Sequence, residues 1–294
     1  MKNIKPYLLK QDTRFMELLC PAKLNLFLHV TEKRLDGYHN LISLMCLISL
    51  YDKISITFDT CETKMVCNYP GVPEDHTNLA WKAAELFLRK ADIRENFEIV
   101  IEKKIPAGAG LGGGSSNAGS VLMAFNSYYG NIFSSSKLMD MGLSLGADVP
   151  FFIFQKPAIA TGIGEKLEAC KGIEHFYVVL IAFDFIVSTA NVYKNLKLGL
   201  TKCKNIIKSS SFKEQGFNLE QHLCNDLEMV TASDYPDINA AKKALLDHDA
   251  RGVLMSGSGP SVFGLFPDLY QAEKAVKSLS KNERWTLYLA DLII

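Results

Sequence analysis

The sequence carries no excess charge of either sign: 32 Lys and Arg balance 32 Asp and Glu over 294 residues. A chain with no overall positive field has no electrostatic footprint for a polyanion, so neither nucleic acid nor an acidic membrane surface is an expected partner. Long apolar runs are missing as well. The longest, "LISLMCLISLY" and "FYVVLIAF", fall short of the roughly 20 residues that a helical membrane span needs. The N-terminal stretch "MKNIKPYLLKQDTRF" has no apolar segment ahead of a small-residue cleavage site and no Arg/Ser-rich transit pattern. The seven cysteines, at 20, 46, 61, 67, 170, 203 and 224, form no Cys-x-x-Cys pair and no His-spaced zinc pattern, and their number is odd. A reducing cytoplasm is the setting expected for such a set. No internal repeat stands out, which excludes solenoids and repeat arrays.

What is present is a globular composition, 48% hydrophobic and 22% charged, sufficient for a sizeable core. The length exceeds that of one ordinary core and points to two domains. Glycines and turn residues from Lys156 to about Glu168 place the boundary near 155, giving domains of 1–155 and 156–294. Leu24 to Val30, Ile54 to Phe58 and the alternating "FEIVIEKK" read as strands. "TNLAWKAAELFLRKA" reads as an amphipathic helix behind a Thr77 cap, and a second helix runs from Ser116 to about Tyr129. In the second half, helices at 236–248 and 269–281 alternate with strands at Gly252 to Met255, Val262 to Phe266 and Trp285 to Ala290. That order predicts an α+β domain on an antiparallel sheet. The polar, Ser-rich stretch from Lys197 to Phe217 reads as a solvated loop.

Glycine is concentrated in one place: "KKIPAGAGLGGGSSNAG" holds five glycines between 108 and 114, followed by Ser115 and Ser116. A strand enters this loop and a helix leaves it, so backbone N–H groups converge just beyond a helix N-terminus, where an anion is favoured. Bare glycine lets the backbone approach a phosphate and adopt positive φ. Gly108, Gly110 and Gly113 match G-x-G-x-x-G, but the acidic residue expected about 20 positions later is absent from "YYGNIFS". A Walker A loop needs Gly-Lys-Ser/Thr, and no lysine follows these glycines. A flexible linker is the bland alternative.

"PAGAGLGGGSSNAG" resembles the phosphate-binding motif of the galactokinase, homoserine kinase, mevalonate kinase and phosphomevalonate kinase superfamily. "PAKLNLFLHV" and "MSGSGPSVFGLF" are similar to two further motifs of that superfamily, and with "LGADVPFF" at 145–152 the four motifs run in order from Pro21 to about Phe266. The resemblance implies an α+β, two-lobed small-molecule kinase fold. Its N-terminal lobe would be ribosomal-protein-S5-like and its C-terminal lobe an α/β sandwich. It also implies ATP bound along Pro106, Ala107, Gly108, Ala109, Gly110, Leu111, Gly112, Gly113, Gly114, Ser115 and Ser116. Mg²⁺ would ride on the phosphates with Ser115 as its one protein contact. "DGYH" at 36–39 and "LGADVPFF" at 145–152 bring the chain closest to the branch acting on a cytidylyl diphosphate sugar alcohol in isoprenoid precursor synthesis. A kinase for mevalonate, homoserine or a sugar would share the ATP loop but not "DGYH".

Alternation along "AKLNLFLHV" puts Lys23 and Asn25 on one face of a strand, which is either a polar site or a wet edge. Asp148 is either a turn residue at a helix terminus, with Gly146 as a C′ glycine, or a proton acceptor. The resemblance makes Asp148 the catalytic acceptor and Lys23 the ammonium paired with it. It assigns Asn25, Tyr38, His39, Phe185 and Thr189 to the substrate, with Asp36 and Gly37 building a turn. "SGSGPS", Ser256 to Ser261, reads as a hairpin loop that supports the phosphate site. "NDLE" at 225–228 carries no catalytic assignment. A cytoplasmic monomer or weak homodimer is expected.

Overall fold

The computed structural model describes residues 7–201, 203 and 218–294, and most of the predicted solvated loop at 197–217 lies outside them. The chain divides into two compact units. One comprises the chain through Ala22, Tyr51–Ala107 and Gly112–Gln155; the other comprises Lys23–Leu50, Gly108–Leu111 and Lys156–Ile294. The chain therefore changes unit at 155/156, where the sequence drew its single boundary, and also at 22/23, 50/51, 107/108 and 111/112.

In the first unit the sheet is ordered β1 (Leu8–Gln11), β2 (Phe15–Lys33, as far as Ala22), β3 (His39–Thr60, from Tyr51), β5 (Asn96–Glu102) and β4 (Lys64–Cys67). β3 and β5 are antiparallel, with Ile54 opposite Ile101 and Ile56 opposite Ile99, while β4 runs parallel to β5. The alternation read in "FEIVIEKK" is real: Phe97, Ile99 and Ile101 are all buried. Helices α1 (Leu79–Ala91) and α2 (Gly113–Tyr128) supply the other half of the core. Phe87 and Phe125 meet Phe97 and Phe58 there, the Phe58 and Phe125 centroids 5.0 Å apart. The cap of α1 is Asn78 rather than Thr77: Asn78 Oδ1 accepts from Ala80 N at 2.9 Å, whereas Thr77 is turned back onto Asp75. Two further helices, α3 (Ser135–Leu145) and α4 (Val149–Phe154), complete this unit.

In the second unit β8 (Tyr177–Ala182) lies between β12 (Thr286–Ile293) and β11 (Val262–Phe266), and β10 (Gly252–Met255) closes the far side, all antiparallel. Leu292 and Ile293 of β12 pair with Ile48 and Leu47 of β3, and β6 (Ala158–Gly162) and β7 (Lys166–Ala169) extend from β3. A two-residue strand, Cys224–Asn225, runs parallel to β2 at Phe27 and Leu28. Helices Asp237–Leu246 and Leu269–Leu279 place Ile238, Leu245, Ala272 and Leu279 against Val179, Ile181, Val262 and Phe266. The antiparallel α+β arrangement predicted for the C-terminal half is present, with β10 and β11 at the predicted bounds.

Candidate active site

The glycine loop is divided between the units, and each part is held by its own neighbours. In the second unit Lys23 N donates to Leu111 O at 3.0 Å, and Lys23 Nζ donates to Gly110 O at 2.9 Å and to Asn25 Oδ1 at 2.6 Å. Asn25 Nδ2 donates to Ser43 Oγ, which donates to Phe27 O, so the amide is fixed with its oxygen toward the ammonium. Both polar side chains are buried, as a polar site requires and a wet edge would not. Ser256 Oγ donates to Gly110 O at 3.1 Å and Ser261 N to Ala109 O at 3.3 Å, so the "SGSGPS" hairpin loop braces the glycine loop directly.

The glycines are bare for more than one reason. Gly108, Gly110 and Gly112 take φ of 66°, 78° and 71°, where a Cβ is disfavoured. A Cβ on Gly110 would also stand 2.1 Å from Ser256 O, one on Gly108 2.8 Å from Ile186 Cγ2, and one on Gly113 2.9 Å from Lys103 Nζ. Space expected for phosphate is thus partly taken at these three positions by the protein's own atoms.

In the first unit lie Pro106, Ala107, Gly112 to Ser116 and Asp148. The serines do not cap α2. Gly112 does, without a side-chain hydrogen bond, and the helix begins at Gly113. Ser116 N donates to Gly112 O at 2.8 Å, so the amides of Gly113, Gly114 and Ser115 precede the first intrahelical bond and form the positive end of the helix. Ser116 Oγ is buried and lacks a hydrogen-bond partner, a state that costs about 1–3 kcal/mol. Asp148 heads α4 with Pro150 in the first turn. Its neighbours lie on α2: a Cβ on Gly146 would stand 3.9 Å from Ser115 Oγ, and Val149 O approaches Gly119. Gly146 is extended, with φ 175°, so it is not a left-handed C′ glycine. Serine hydroxyls suit a hard cation that takes oxygen ligands, and this donor set fits Mg²⁺ brought in on phosphates.

The predicted substrate residues separate into two groups. Gly37, with φ 88°, and Asp36, paired with Arg34 and accepting from Tyr38 N, build the turn. Tyr38 is 60% exposed, whereas His39 is buried and stacks on Tyr193 with centroids 5.1 Å apart. Burial, and then the charge of Lys33, hold the His39 pKa below the ordinary imidazole value. Tyr193 lies on the helix Thr189–Asn195, whose first residue shares a 2.8 Å hydrogen bond with Ser258 Oγ. That helix ties His39 and Thr189 to the bracing hairpin. The Phe185 ring instead stacks on Tyr235, 4.6 Å away and 8° from parallel, and on Phe183.

Three groups of residues have structural roles that the sequence does not assign to them. Asn225 Nδ2 donates to Met255 O and Gly257 O, and Asp226 accepts from Val30 N, Cys203 N and His29 Nδ1, so "NDLE" is buried scaffolding. Cys203 and Cys224 form a disulfide, a departure from the reducing setting expected for the cysteines, while the other five remain thiols. Donor atoms of Cys203, Cys224 and Asp226 lie within 4.8 Å of one another. The sulfurs are bonded together and both carboxylate oxygens are engaged, so the group offers no metal-ligand set. The third group is a buried ion pair, Asp52 with Lys103.

Two family models match the chain: GHMP kinases N terminal domain over residues 78–156, and GHMP kinases C terminal over residues 204–284. A 4-diphosphocytidyl-2-C-methyl-D-erythritol kinase of Syntrophotalea carbinolica is 44% identical over 93% of this chain and 97% of its own length. One of Geobacter sp. (strain M21) is 44% identical over 92% and 96%. A crystal structure of 4-(cytidine 5'-diphospho)-2C-methyl-D-erythritol kinase superposes with a TM-score of 0.77 at 32% identity, covering 94% of this chain and 99% of that one. A homoserine kinase from Cytophaga hutchinsonii, 17% identical, shares the fold with a TM-score of 0.76, covering 97% of this chain and 96% of that one.

Proposed function

The chain belongs to the 4-diphosphocytidyl-2-C-methyl-D-erythritol kinases of the GHMP kinase family, and from that premise we propose that it phosphorylates the 2-hydroxyl of that compound with ATP. The acceptor oxygen forms a bond to the γ-phosphorus as the bond to the ADP oxygen breaks, and the hydroxyl proton passes to Asp148. Such transfers go through a loose transition state, so the protein's task is alignment and charge neutralisation.

The observation that carries the reading is the fixed Lys23 ammonium, with donors directed at Gly110 O of the glycine loop and at Asn25 Oδ1. These bonds hold the cation in one orientation, as transition-state stabilisation requires. In this reading Lys23 polarises the acceptor hydroxyl. The loop from Pro106 to Ser116 binds the triphosphate through main-chain amides at the head of α2. Mg²⁺ carried in on the phosphates would supply charge neutralisation there, and the Ser115 hydroxyl would be its protein contact. Asp148 takes the proton late, as the forming bond to phosphorus acidifies the hydroxyl.

Tyr38 and His39 receive the cytosine, His39 hydrogen-bonding its edge as a neutral imidazole, with Asn25 and Thr189 beside the sugar alcohol. Phe185 serves indirectly, through its stack on Tyr235. In this reading the protein acts in the cytoplasm as a monomer or weak homodimer, with balanced charge that gives nucleic acid and acidic membranes no overall electrostatic attraction.

The test is ATP consumption by the purified chain with Mg²⁺, with and without the cytidylyl substrate and with mevalonate and homoserine as competitors. Turnover should require the cytidylyl compound, and Asp148→Ala should lower it at least about 10²-fold while the thermal melt is retained. Near-normal turnover in that variant removes Asp148 from the role of base.

A further inference from the structure

The chain enters the glycine loop from β5 and leaves it along α2, and one carboxylate grips both ends. Asp52 Oδ1 accepts from the amides of Lys104 at 2.8 Å and Ile105 at 2.9 Å, the two residues ahead of Pro106. Asp52 Oδ2 accepts from Asn117 Nδ2 at 3.0 Å, one residue past the serines, and from Lys103 Nζ at 2.5 Å. The Asp52 side chain is fully buried and that of Lys103 is 4% exposed. The ammonium also lies beneath the loop, 2.9 Å from the point a Cβ on Gly113 would occupy.

Burying two charges costs several kcal/mol per ion, and a well-packed apolar pair of similar volume is often as stable or more so. Stability alone is therefore a weak reason for an ion pair at this position. Four hydrogen bonds converging on one rigid group do something an apolar pair cannot: they set the span between residue 105 and residue 117. An oxygen-binding loop built of glycine has little stiffness of its own, because glycine restricts its backbone less than any other residue.

We propose that Asp52, with Asn117 and Lys103, is a positioning cluster for nucleotide binding: it fixes the two ends of the glycine loop so that the amides between them are already spaced for phosphate oxygens. The inference rests on the reading of this loop as the ATP site. Preorganised donors bind without the cost of ordering the loop, so loss of the cluster falls on nucleotide affinity before anything else. None of the three residues touches substrate in this assignment; they act through the backbone they hold.

Asn117→Leu is the sharpest test, because at similar volume it cuts the exit-side bond to Asp52, together with the long 3.5 Å contact from Lys103 Nζ to Asn117 Oδ1, and keeps both charges of the Asp52–Lys103 pair. A second variant, Asp52→Asn with Lys103→Met, removes both charges together, so no unpaired buried ion is created. Phe87→Leu, a core change in the same unit away from the cluster, reports what lost stability alone does. KM for ATP, Kd for a non-hydrolysable ATP analogue, KM for the cytidylyl acceptor and the melting temperature are measured for each.

Asn117→Leu should raise KM for ATP and Kd for the analogue about tenfold, with KM for the acceptor within about twofold, and the double variant should move in the same direction. Asn117→Gln should recover part of the loss. Phe87→Leu should lower the melting temperature and leave KM for ATP unchanged. Wild-type nucleotide affinity in Asn117→Leu or in the double variant overturns the inference, as does an equal rise in KM for ATP in Phe87→Leu. A wild-type chain that binds no nucleotide overturns the functional reading and this inference together, whereas tight wild-type binding indifferent to Asn117→Leu overturns the inference alone.

Discussion

An alanine at 110 would bring its Cβ to 2.1 Å from Ser256 O, a backbone atom in the hairpin that braces the loop, while at 108 the obstacle is the Ile186 side chain, 70% exposed and able to turn away. The two positions look alike in sequence and should behave differently. Gly110→Ala is expected to abolish ATP turnover and to lower stability beyond the cost of positive φ alone. Gly108→Ala should cost the left-handed penalty of about 1–2 kcal/mol plus a steric part that a second change, Ile186→Ala, relieves. Urea unfolding and ATP turnover of the three variants check this; equal damage at 108 and 110 would contradict it.

His39 gives the pH dependence at the same scale. Its folded pKa lies below the unfolded value because burial, and then Lys33, oppose the charged form. Between the two values the unfolded chain binds more protons, so stability rises with pH in that window. The contribution is intact above about 6.5 and is lost as the pH falls toward the folded value. His222 shifts in the same direction through burial. His39→Asn should therefore flatten part, not all, of the decline in melting temperature between about pH 7 and pH 5. In the functional reading, protonation of His39 should also raise acceptor KM as the pH falls, and His39→Asn should remove that pH dependence.

Among the elements, those whose pattern is set by one buried face were legible. The alternation of β5 and the turn chemistry between β10 and β11 are local signals, and both elements appear where the pattern puts them. β2 and β3 run well beyond their sequence signal: "LNLFLHV" and "ISITF" are the apolar parts of strands of 19 and 22 residues. Their charged and amide positions, Lys23, Asn25 and Asp52, look like surface in a linear reading because their partners are 87, 18 and 51 residues away. The shared face of Lys23 and Asn25 could be seen from alternation; the grip of Asp52 on both ends of the loop could not, since nothing near it in sequence announces a partner. The structural role of "NDLE" was hidden for the same reason, its partners lying far off in sequence.

The disulfide joins residues 21 apart and belongs to this scale too. Bridges closing loops of that size contribute about 3 kcal/mol in a chain-entropy account. Alkylation in denaturant should modify five thiols without reductant and seven after reduction, as counted by mass. In the folded protein exposed Cys61 should react first and Cys20 very slowly, its thiol pushed up to about 12 mainly by burial. Seven modified residues in the unreduced chain would contradict the bridge.

At the level of the whole molecule, neither unit is one uninterrupted stretch of sequence, since residues 23–50 and 108–111 belong with 156–294. A gene split at 155/156 would consequently not yield two autonomous pieces. The C-terminal fragment would lose the β3 partner of both β6 and β12, leaving bare strand edges of the kind that template aggregation. Expressed separately, the halves should be insoluble; mixed during refolding, they should complement each other and regain a cooperative melt. This enzyme is thus a poor candidate for domain swapping at its apparent midpoint, and recombination among its relatives should tolerate crossovers within surface loops far better than at that junction.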